Sequence, residues 1–464
     1  MDIKKFKISN DQRNAILSYD EDHFRDLKSK EIKPSKLSKT ISAFSNAVGG
    51  ELYIGIRETS KPDGTKIRTW EGFKDIEEAN AHIQVFENLF PFGDYFAYNF
   101  LENEDSTGLV LQVLILKTKE IINASDGIPY IRRGAQNIPV NTQEALERLK
   151  LDKGIESFET KTLAIDKTSI TDSYTIFNFL YQVIPTTEPE PWLRKQFLLR
   201  EENPTVAGVL IFSDTPQAAL PKQSGIKIYR YRTKGEPTRE TLAFQPLSIE
   251  GPLYELIYSA VNETKKIVED LSILTDYGLE KAKYPPETLH EIITNAVLHR
   301  DYSIPSDIHI RIFDNRIEVE NPGKLPGHIT VKNILSEQFA RNGSIVRLVN
   351  KFPNPPNKDV GEGLNTAFDA MKRMRLKQPL IEERENSVLV TIKHEPLASP
   401  EEAVIEYLNK NPEINNTKGR ELTGITSENT MKNVFVRLKD RGLIEQVPDK
   451  KGPSSAWRLK NNST

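Results

Sequence analysis

Cysteine is absent from this chain of 464 residues. Its absence excludes disulfides, zinc sites built on thiolates and cysteine nucleophiles, and it agrees with a reducing compartment, so we expect a cytoplasmic protein. The sequence also lacks an apolar stretch near the ~18 residues that a membrane-spanning helix needs. Its first residues lack the apolar core of a secretory signal. We therefore expect no association with membranes.

An excess of charge of either sign is also missing. The net charge of -3 gives no global attraction to nucleic acid, so any such contact must come from a local patch. An apolar fraction of 37% with 28% charged residues is typical of a soluble globular protein. The helix-like and strand-like patterns predict an α/β (α+β) multidomain fold. We predict four segments along the chain: 1–150, 151–255, 256–398 and 399–464.

A strand-like pattern near the start places Asp26 and Lys28 on one face. Metal-dependent nucleases use such a pair: the carboxylate holds a divalent cation, and the lysine steadies the attacking water or the developing charge. Glu21 lies upstream of this pair, and Glu58 follows a second predicted strand. Three carboxylates brought together would suit Mg²⁺ or Mn²⁺. An exposed, salt-bridged strand is the alternative.

In the third segment, the predicted helix 286–299 carries Glu291 and Asn295 four residues apart, and therefore on one face. A carboxylate there can polarise water, and an amide oxygen can hold Mg²⁺ between phosphates. This pair alone is common on solvated helix faces. The tripeptide His299-Arg300-Asp301 follows, as a buttress of the next loop or as a catalytic group.

Two glycine patterns come after this helix. Asn321-Pro-Gly323 ends a predicted strand, and Gly361-Glu-Gly363 precedes a predicted helix. Glycines before a helix let backbone amides approach phosphates at the helix N-terminus. The order of acid–amide helix, strand hairpin, glycine turn and second glycine pair predicts a nucleotide pocket.

This order of parts resembles the GHKL (Bergerat-fold) ATPases, the group that includes DNA gyrase and histidine kinases. More narrowly, residues 284–302 and 317–326 resemble the divergent GHKL domain attached to prokaryotic Schlafen AlbA-type domains. The resemblance implies ATP and Mg²⁺ as ligands, with Glu291 as the water-activating base and Asn295 as the Mg²⁺ ligand. Asn321 stands where the group has an adenine-reading aspartate. Because an amide carries no charge and also suits another base, we expect nucleotide binding rather than efficient turnover.

The first segment resembles the Schlafen AlbA-type domain at residues 38–56 and again at 129–134. The family's acid-and-lysine pattern is present with Asp26 in place of a glutamate. Three acids of this kind cleave RNA, including transfer RNA, in Schlafen nucleases. The resemblance implies three metal ligands and one phosphate partner: Glu21, Asp26 and Glu58, with Lys28.

Arg132 and Arg133, which precede Gly134, are predicted phosphate contacts or structural arginines at a strand end. The middle segment, with a predicted strand at 206–212, matches the same multidomain family and is interpreted as a connecting α/β unit.

The tail predicts three helices followed by a hairpin, which is the winged-helix layout. Residues 417–464 hold ten basic and five acidic side chains, a local net charge of +5. Polar residues of the third helix can read base edges, and lysines at the hairpin tip can contact phosphates. These nucleic-acid candidates are Ser427, Asn429, Thr430, Lys432, Asn433, Lys450 and Lys451. Protein docking is the alternative use of such a module.

Two functions fit these patterns. The first is a nucleotide-gated, metal-dependent endonuclease that cuts RNA such as transfer RNA, of the anti-phage defence kind. The second is an ATP-responsive DNA-binding transcriptional regulator without nuclease activity. A scaffold with a degenerate nucleotide pocket is a third interpretation. By analogy with GHKL relatives, which often dimerise, a homodimer or higher oligomer is expected.

Overall fold

The structure is a computed structural model of the chain, and it shows a mixed α/β multidomain fold. No helix among the residues it describes is long and apolar enough to cross a membrane. The described residues are 5–60, 66–220, 224–275, 278–282, 284–356, 363–374, 376–394, 400–423, 425, 427–448, 450 and 455–460.

The N-terminal part is built on a five-stranded mixed sheet of order β1-β6-β7-β3-β2. Helix α2 begins with a proline and buries Leu37, Ile41 and Phe44 completely against this sheet, as its apolar spacing predicts. The elements are β1 (Lys5–Lys7), α1 (Asn10–Leu17), β2 (Arg25–Lys28), α2 (Pro34–Asn46), β3 (Gly50–Ile54), β4 (Ile56–Ser60), β5 (Lys66–Trp70), α3 (Asn80–Leu89), β6 (Phe96–Glu102), β7 (Val110–Ile115), β8 (Tyr130–Arg133), β9 (Gln136–Pro139) and α4 (Gln143–Asp152).

One element of the middle segment differs from its prediction. The apolar run 206–212 forms a helix, not a strand, and every residue in it is buried. A short apolar run cannot be assigned by periodicity alone. The Thr205 side chain caps this helix by accepting from the backbone N–H of Gly208. The middle elements are α5 (Thr168–Thr171), α6 (Tyr174–Val183), α7 (Pro189–Lys195), β10 (Leu199–Arg200), β11 (Asn203–Pro204), α8 (Val206–Phe212), α9 (Pro216–Ala219), β12 (Ile226–Arg230), β13 (Leu247–Ile249) and α10 (Leu253–Glu269).

The largest sheet has six strands in the order β13-β12-β16-β17-β19-β18. Its first two strands come from the segment predicted to be a connecting unit, and one hydrophobic core runs from Ile170 to Ile392. The structure therefore does not separate residues 151–255 from the segment that follows. The remaining elements of this part are β14 (Ser272–Thr275), β15 (Gly278–Lys281), α11 (Pro286–Leu298), β16 (Ile308–Ile312), β17 (Arg316–Pro322), α12 (Gly343–Val349), α13 (Gly363–Arg373), β18 (Leu380–Glu383) and β19 (Ser387–Lys393).

The tail contains three helices around a small apolar core and a three-stranded sheet of order β20-β22-β21. Its last two strands are antiparallel, with Ile444 opposite Leu459. The predicted order of three helices and a hairpin is confirmed. The elements are α14 (Pro400–Lys410), β20 (Ile414–Asn415), α15 (Asn416–Thr423), α16 (Glu428–Asp440), β21 (Ile444–Gln446) and β22 (Ala456–Leu459).

Candidate functional sites

Helix α11 carries the acid–amide pair that the sequence predicts. Nδ2 of Asn295 donates a hydrogen bond of 2.7 Å to Oε1 of Glu291. The helix is buried almost all round, and Oγ1 of Thr288 donates to the carbonyl oxygen of Ala367 in α13. The pair is therefore held on a fixed helix, with one amide nitrogen engaged and the amide oxygen left as an acceptor.

A cavity of about 340 Å³ lies against this pair, a volume within the range of small-molecule sites. Its walls come from α11, from strands β17 and β19, and from the loop between β17 and α12. The apolar lining includes Val319, Leu325, Ile329, Phe339 and Val388. The polar lining comprises Glu291, Asn295, His299, Asn321, Lys324, Glu337, Gln338 and Asn350.

Gly363 also lines this cavity, at the first residue of α13. A Cβ at this position would overlap the carboxylate of Glu291, so only glycine lets the helix begin this close to the acid. The other predicted glycine, Gly361, lies outside the described residues.

Asn321 lies near the end of β17, and Gly323 follows the last residue of that strand. Oδ1 of Asn321 is buried in the cavity wall and has no hydrogen-bond partner within the described structure. A buried acceptor of this kind is costly unless a ligand completes it. Gly323 has φ 106°, and a Cβ there would lie 2.6 Å from Cβ of Asp301. The glycine thus serves the packing of the turn, while the asparagine faces the cavity.

The tripeptide after α11 supports the pocket from behind. Oδ2 of Asp301 accepts from Arg148 at 2.6 Å and from Arg341 at 3.2 Å. Burial works against the charge of Asp301, but the two arginines hold its pKa below the usual value. Burial, with the charge of Arg341, lowers the pKa of His299 to about 4, so this imidazole is neutral. These contacts favour the buttress interpretation over a catalytic one.

The N-terminal acids form a second candidate site. Asp26 in β2 is completely buried, and Nζ of Lys28 contacts its Oδ1 and also Oε1 of Glu21, the latter at 3.1 Å. The predicted pairing of Asp26 with Lys28 on one strand face is confirmed.

Arg132 occupies the other oxygen of Asp26, at 3.1 Å from Oδ2. This arginine is 1% exposed, and its remaining donors reach the carbonyl oxygens of Asp22 and Arg25 and the side chain of Asn137. It is therefore an internal ion-pair partner, which is the structural alternative that the sequence left open. Its neighbour Arg133 is exposed and lies 3.8 Å from Glu385.

Glu58 does not join the other two acids. It lies on the β4–β5 hairpin and pairs with Lys66 at 2.7 Å and Arg68 at 3.0 Å. No group of three or more His, Asp and Glu side chains suited to a metal ion occurs within the described ranges. The expected three-carboxylate cluster is thus not formed. Its acids form ion pairs with lysine and arginine side chains of the chain instead.

Glu21 and Asp26 titrate as a pair. Burial and a hydrogen bond with Glu21 raise the pKa of Asp26 to about 7, although Lys28 acts in the opposite direction. Burial also acts upward on Glu21, but the hydrogen bond from Asp26 and the charge of Lys28 lower its pKa to about 2. Between these values the two carboxyls share one proton.

The tail presents most of its predicted nucleic-acid residues to solvent. Ser427 caps α16, because its Oγ accepts from the backbone N–H of Thr430. Lys432 forms an exposed ion pair of 2.7 Å with Glu428, and Lys450 contacts Glu413. Lys451 lies outside the described residues. The exposed polar residues of this helix face are Asn429, Thr430, Lys432 and Asn433.

Sequence patterns missed two lysines at the pocket. Lys324 lines the cavity directly after the glycine turn. Lys117 is buried and reaches the pocket wall from the N-terminal sheet. The only sequence signal for Lys117 is a cation after an apolar strand, and nothing in that pattern indicates which distant segment it contacts.

Two family models match parts of the chain. Residues 21–141 match the family described as "Schlafen, AlbA_2", and residues 306–392 match the family described as "Putative ATP-dependent DNA helicase recG C-terminal". The chain therefore has the architecture expected from its motifs, a Schlafen AlbA-type domain followed by a GHKL-like ATPase domain. These domain types belong to nucleotide-dependent, nucleic-acid-related proteins. The second match begins after α11, so it does not cover Glu291 and Asn295.

Two solved structures are similar to the chain at low identity. The DIP2311 protein from Corynebacterium diphtheriae is 18% identical and has a TM-score of 0.41, over 97% of this chain and 96% of the other. The N-terminal domain of a putative ATP-dependent DNA helicase RecG-related protein from Nitrosomonas europaea is also 18% identical. Its TM-score is 0.18, over 23% of this chain and 70% of the other. No curated protein matches the chain.

Proposed function

We propose that the chain is an ATP-binding, nucleic-acid-directed regulator that does not use its N-terminal carboxylates as a metal-dependent nuclease. The observation that carries the nucleotide half is the convergence of Glu291, Asn295, Asn321 and Gly363 on one cavity. They come from three separate elements: α11, β17 and α13.

The polar groups of the cavity match the parts of ATP. The buried, unpartnered Oδ1 of Asn321 can accept from an exocyclic amino group of a base. The first turn of α13 presents backbone N–H groups beside Gly363, which suits phosphate oxygens. The apolar side chains of the lining suit a base and a ribose.

The oxygen atoms of Glu291 and Asn295 also suit Mg²⁺. Asn295 uses its Nδ2 on the carboxylate, so its Oδ1 would hold the ion, and the ion would offset the negative charge of the phosphates. We propose Glu291 as the group that orients a water molecule. Because Asn321 brings no charge to the base, we propose that the site binds ATP as a switch and turns it over slowly.

The N-terminal carboxylates fit a divalent ion poorly. Both oxygens of Asp26 are engaged by Lys28 and Arg132, and Glu58 is engaged by Lys66 and Arg68. A cation entering this site would have to compete with the partly exposed ammonium groups of Lys28 and Lys66 and with the buried guanidinium groups of Arg132 and Arg68. We therefore assign the cluster a structural role in the nucleic-acid-directed domain.

The tail is proposed to be a winged helix that contacts nucleic acid. Its net charge of +5 over residues 417–464 supplies the local attraction that the whole chain lacks. The face of α16 that carries Asn429, Lys432 and Asn433 is exposed and polar, as a helix that enters a major groove requires. Arg133 adds an exposed cation on the N-terminal domain.

Calorimetry of the full chain with ATP and Mg²⁺ tests the pocket. We expect saturable binding by the natural chain and loss of binding in Asn295→Ala. The matched control is Asn315→Ala, in the β16–β17 turn outside the cavity. Equal affinity in the Asn295 variant and the natural chain would refute the pocket.

A cleavage assay tests the absence of nuclease activity. The protein is incubated with Mn²⁺, ATP and total transfer RNA, beside the variant Asp26→Asn. We expect no cleavage above background by either protein. Cleavage that disappears in Asp26→Asn would overturn this assignment in favour of a nucleotide-gated nuclease.

A further inference from the structure

The wall of the nucleotide cavity is held by a lysine from the other domain. Nζ of Lys117 donates hydrogen bonds to the carbonyl oxygens of Leu325, at 2.8 Å, and Ile329, at 3.1 Å. Both acceptors belong to residues that line the cavity. The lysine is 8% exposed, and the described part of the chain offers it no carboxylate within 4 Å. The buried ammonium group therefore donates its hydrogen bonds to two carbonyl groups of the pocket wall.

Lys117 belongs to the N-terminal sheet. It follows β7, whose last residue, Ile115, pairs with Gly50 at the start of β3. Strand β2, which carries Asp26, pairs in parallel with β3 and starts at the same end, with Arg25 beside Glu51. Lys117 therefore leaves the sheet at the end where β2 and β3 start. Its ammonium group links the sheet that carries Asp26 to the wall of the cavity.

Other contacts fix the same wall to the connecting helix α4. The backbone N–H of Gly327 donates to the carbonyl oxygen of Asp152 at 3.2 Å. Arg341 donates to the carbonyl oxygens of Leu151, at 3.3 Å, and of Lys324. The loop between β17 and α12 is therefore both a wall of the cavity and the joint between the two domains.

A buried cation with neutral partners is expensive to maintain, and an apolar side chain of the same length would avoid that cost. The groups that face the lysine are charged but not bonded to it: Glu383, Asp152, Arg341, Lys324 and the second buried lysine, Lys153. The gain must come from what the ammonium holds, which is a pair of carbonyl groups four residues apart in an irregular loop.

We propose that Lys117 is a positioning residue of the nucleotide pocket, supplied by the N-terminal domain, and that it couples nucleotide occupancy to that domain. The proposal rests on the nucleotide-binding function given above. When the ammonium holds Leu325 and Ile329, the loop closes the apolar side of the cavity. By thermodynamic linkage, a nucleotide that needs this closed wall tightens the contact between the domains by the same factor.

The chain offers a matched control. Lys153 is also buried, at 2% exposure, but its Nζ donates only to the carbonyl oxygens of Ser45 and Thr118 and to the hydroxyl of Thr118. None of these atoms lines the cavity. Lys153→Met removes a second buried lysine, whose charge opposes that of Lys117, without removing a contact to the pocket wall.

The test is the affinity of the full chain for adenosine 5′-(β,γ-imido)triphosphate with Mg²⁺. We expect Lys117→Met to weaken binding by about tenfold, Lys153→Met to leave it within about twofold, and Lys117→Arg to restore most of it. Thermal unfolding without nucleotide reports the structural cost of each change. Equal losses in the two methionine variants, or unchanged affinity in Lys117→Met, would overturn the proposal while leaving nucleotide binding intact. A natural chain that binds no nucleotide would overturn both.

A pH profile separates positioning from folding and needs only one variant, Lys117→Arg. Burial lowers the pKa of Lys117 to about 8, so the ammonium loses its charge as the pH rises through that value. We expect the affinity of the natural chain to fall between pH 7 and 9.5. In Lys117→Arg it should stay level, because a guanidinium keeps its proton throughout. A profile that falls equally in both proteins would contradict the role of Lys117.

Discussion

Gly363 begins helix α13 directly against the carboxylate of Glu291, so closely that an added Cβ would overlap Oε1. This approach brings the first turn of α13, whose backbone N–H groups have no partners within the helix, to the acid end of the cavity. A side chain at this position would push α13 away from α11, and the N–H groups would move with it.

Gly363→Ala should therefore weaken ATP binding by at least about tenfold. Its stability should also fall, because the added Cβ forces α13 away from α11, so thermal unfolding without nucleotide is measured beside the affinity. Calorimetry with ATP and Mg²⁺ measures the affinity. Gly343→Ala is the control, since it stands at the first residue of α12 with nothing within 4 Å of its added Cβ. Normal affinity in Gly363→Ala would show that α13 does not contact the nucleotide.

Asn321→Asp should increase the preference of the pocket for ATP over GTP. The amide of Asn321 can turn to present either a donor or an acceptor, so it suits an amino group or a carbonyl group. A carboxylate only accepts, so it favours the amino group of adenine and repels the carbonyl oxygen of guanine. We expect the ratio of GTP to ATP dissociation constants to rise by about tenfold. Competition binding with both nucleotides measures this ratio, and an unchanged ratio would place the base elsewhere in the cavity.

Local patterns predicted the helix and the strand that carry Glu291, Asn295 and Asn321, because these residues lie within regular elements. Glu291 and Asn295 are four residues apart on a helix, so their contact follows from helix geometry alone. Strand β17 and its glycine turn are likewise fixed by alternation and by one tight bend. Helix α8 was wrongly predicted as a strand, because a short, fully buried apolar run has the same composition in a helix and in a strand.

The N-terminal acids show where sequence reasoning ends. The pattern gave the right residues at the right strand, but it could not show that Arg132, more than 100 positions away, occupies the second oxygen of Asp26. Nor could it show that Lys66 and Arg68 hold Glu58 on a separate hairpin. Both facts depend on tertiary contacts between charged groups, and they change the interpretation from metal ligand to internal ion pair.

Asp26 should make stability depend on pH. Its pKa is raised from 3.8 to about 7 in the folded protein, so its contribution to folding is fully present below 3.8 and is lost as the pH rises through 7. Asn mimics the protonated acid at every pH. The natural chain should therefore lose stability relative to Asp26→Asn by about 1.4 kcal/mol per pH unit across this window, and the difference should level off above it.

Urea unfolding at half-unit steps from pH 4 to 8.5 measures this difference. Glu58→Gln is the control, because its pKa is lowered rather than raised, owing to Lys66 and Arg68. Its contribution is lost only in acid, so its curve should run parallel to that of the natural chain above pH 5. A flat difference for Asp26→Asn would mean that Lys28 and Arg132 keep Asp26 ionised throughout.

Lys432→Gln should weaken binding to nucleic acids of any base sequence by a similar factor. The lysine is exposed on α16, and its ion pair with Glu428 is open to solvent on both sides, so a phosphate can replace the carboxylate at little cost. Loss of one phosphate contact should reduce the slope of log K against log salt by about 0.9 for duplex DNA. Lys410→Gln is the matched control, since Lys410 forms the same kind of exposed pair with Glu406 on α14. Fluorescence anisotropy over a salt series measures the slopes. If both variants keep the slope of the natural chain, α16 does not contact the phosphate backbone of the nucleic acid. Protein docking is then the better explanation of this domain.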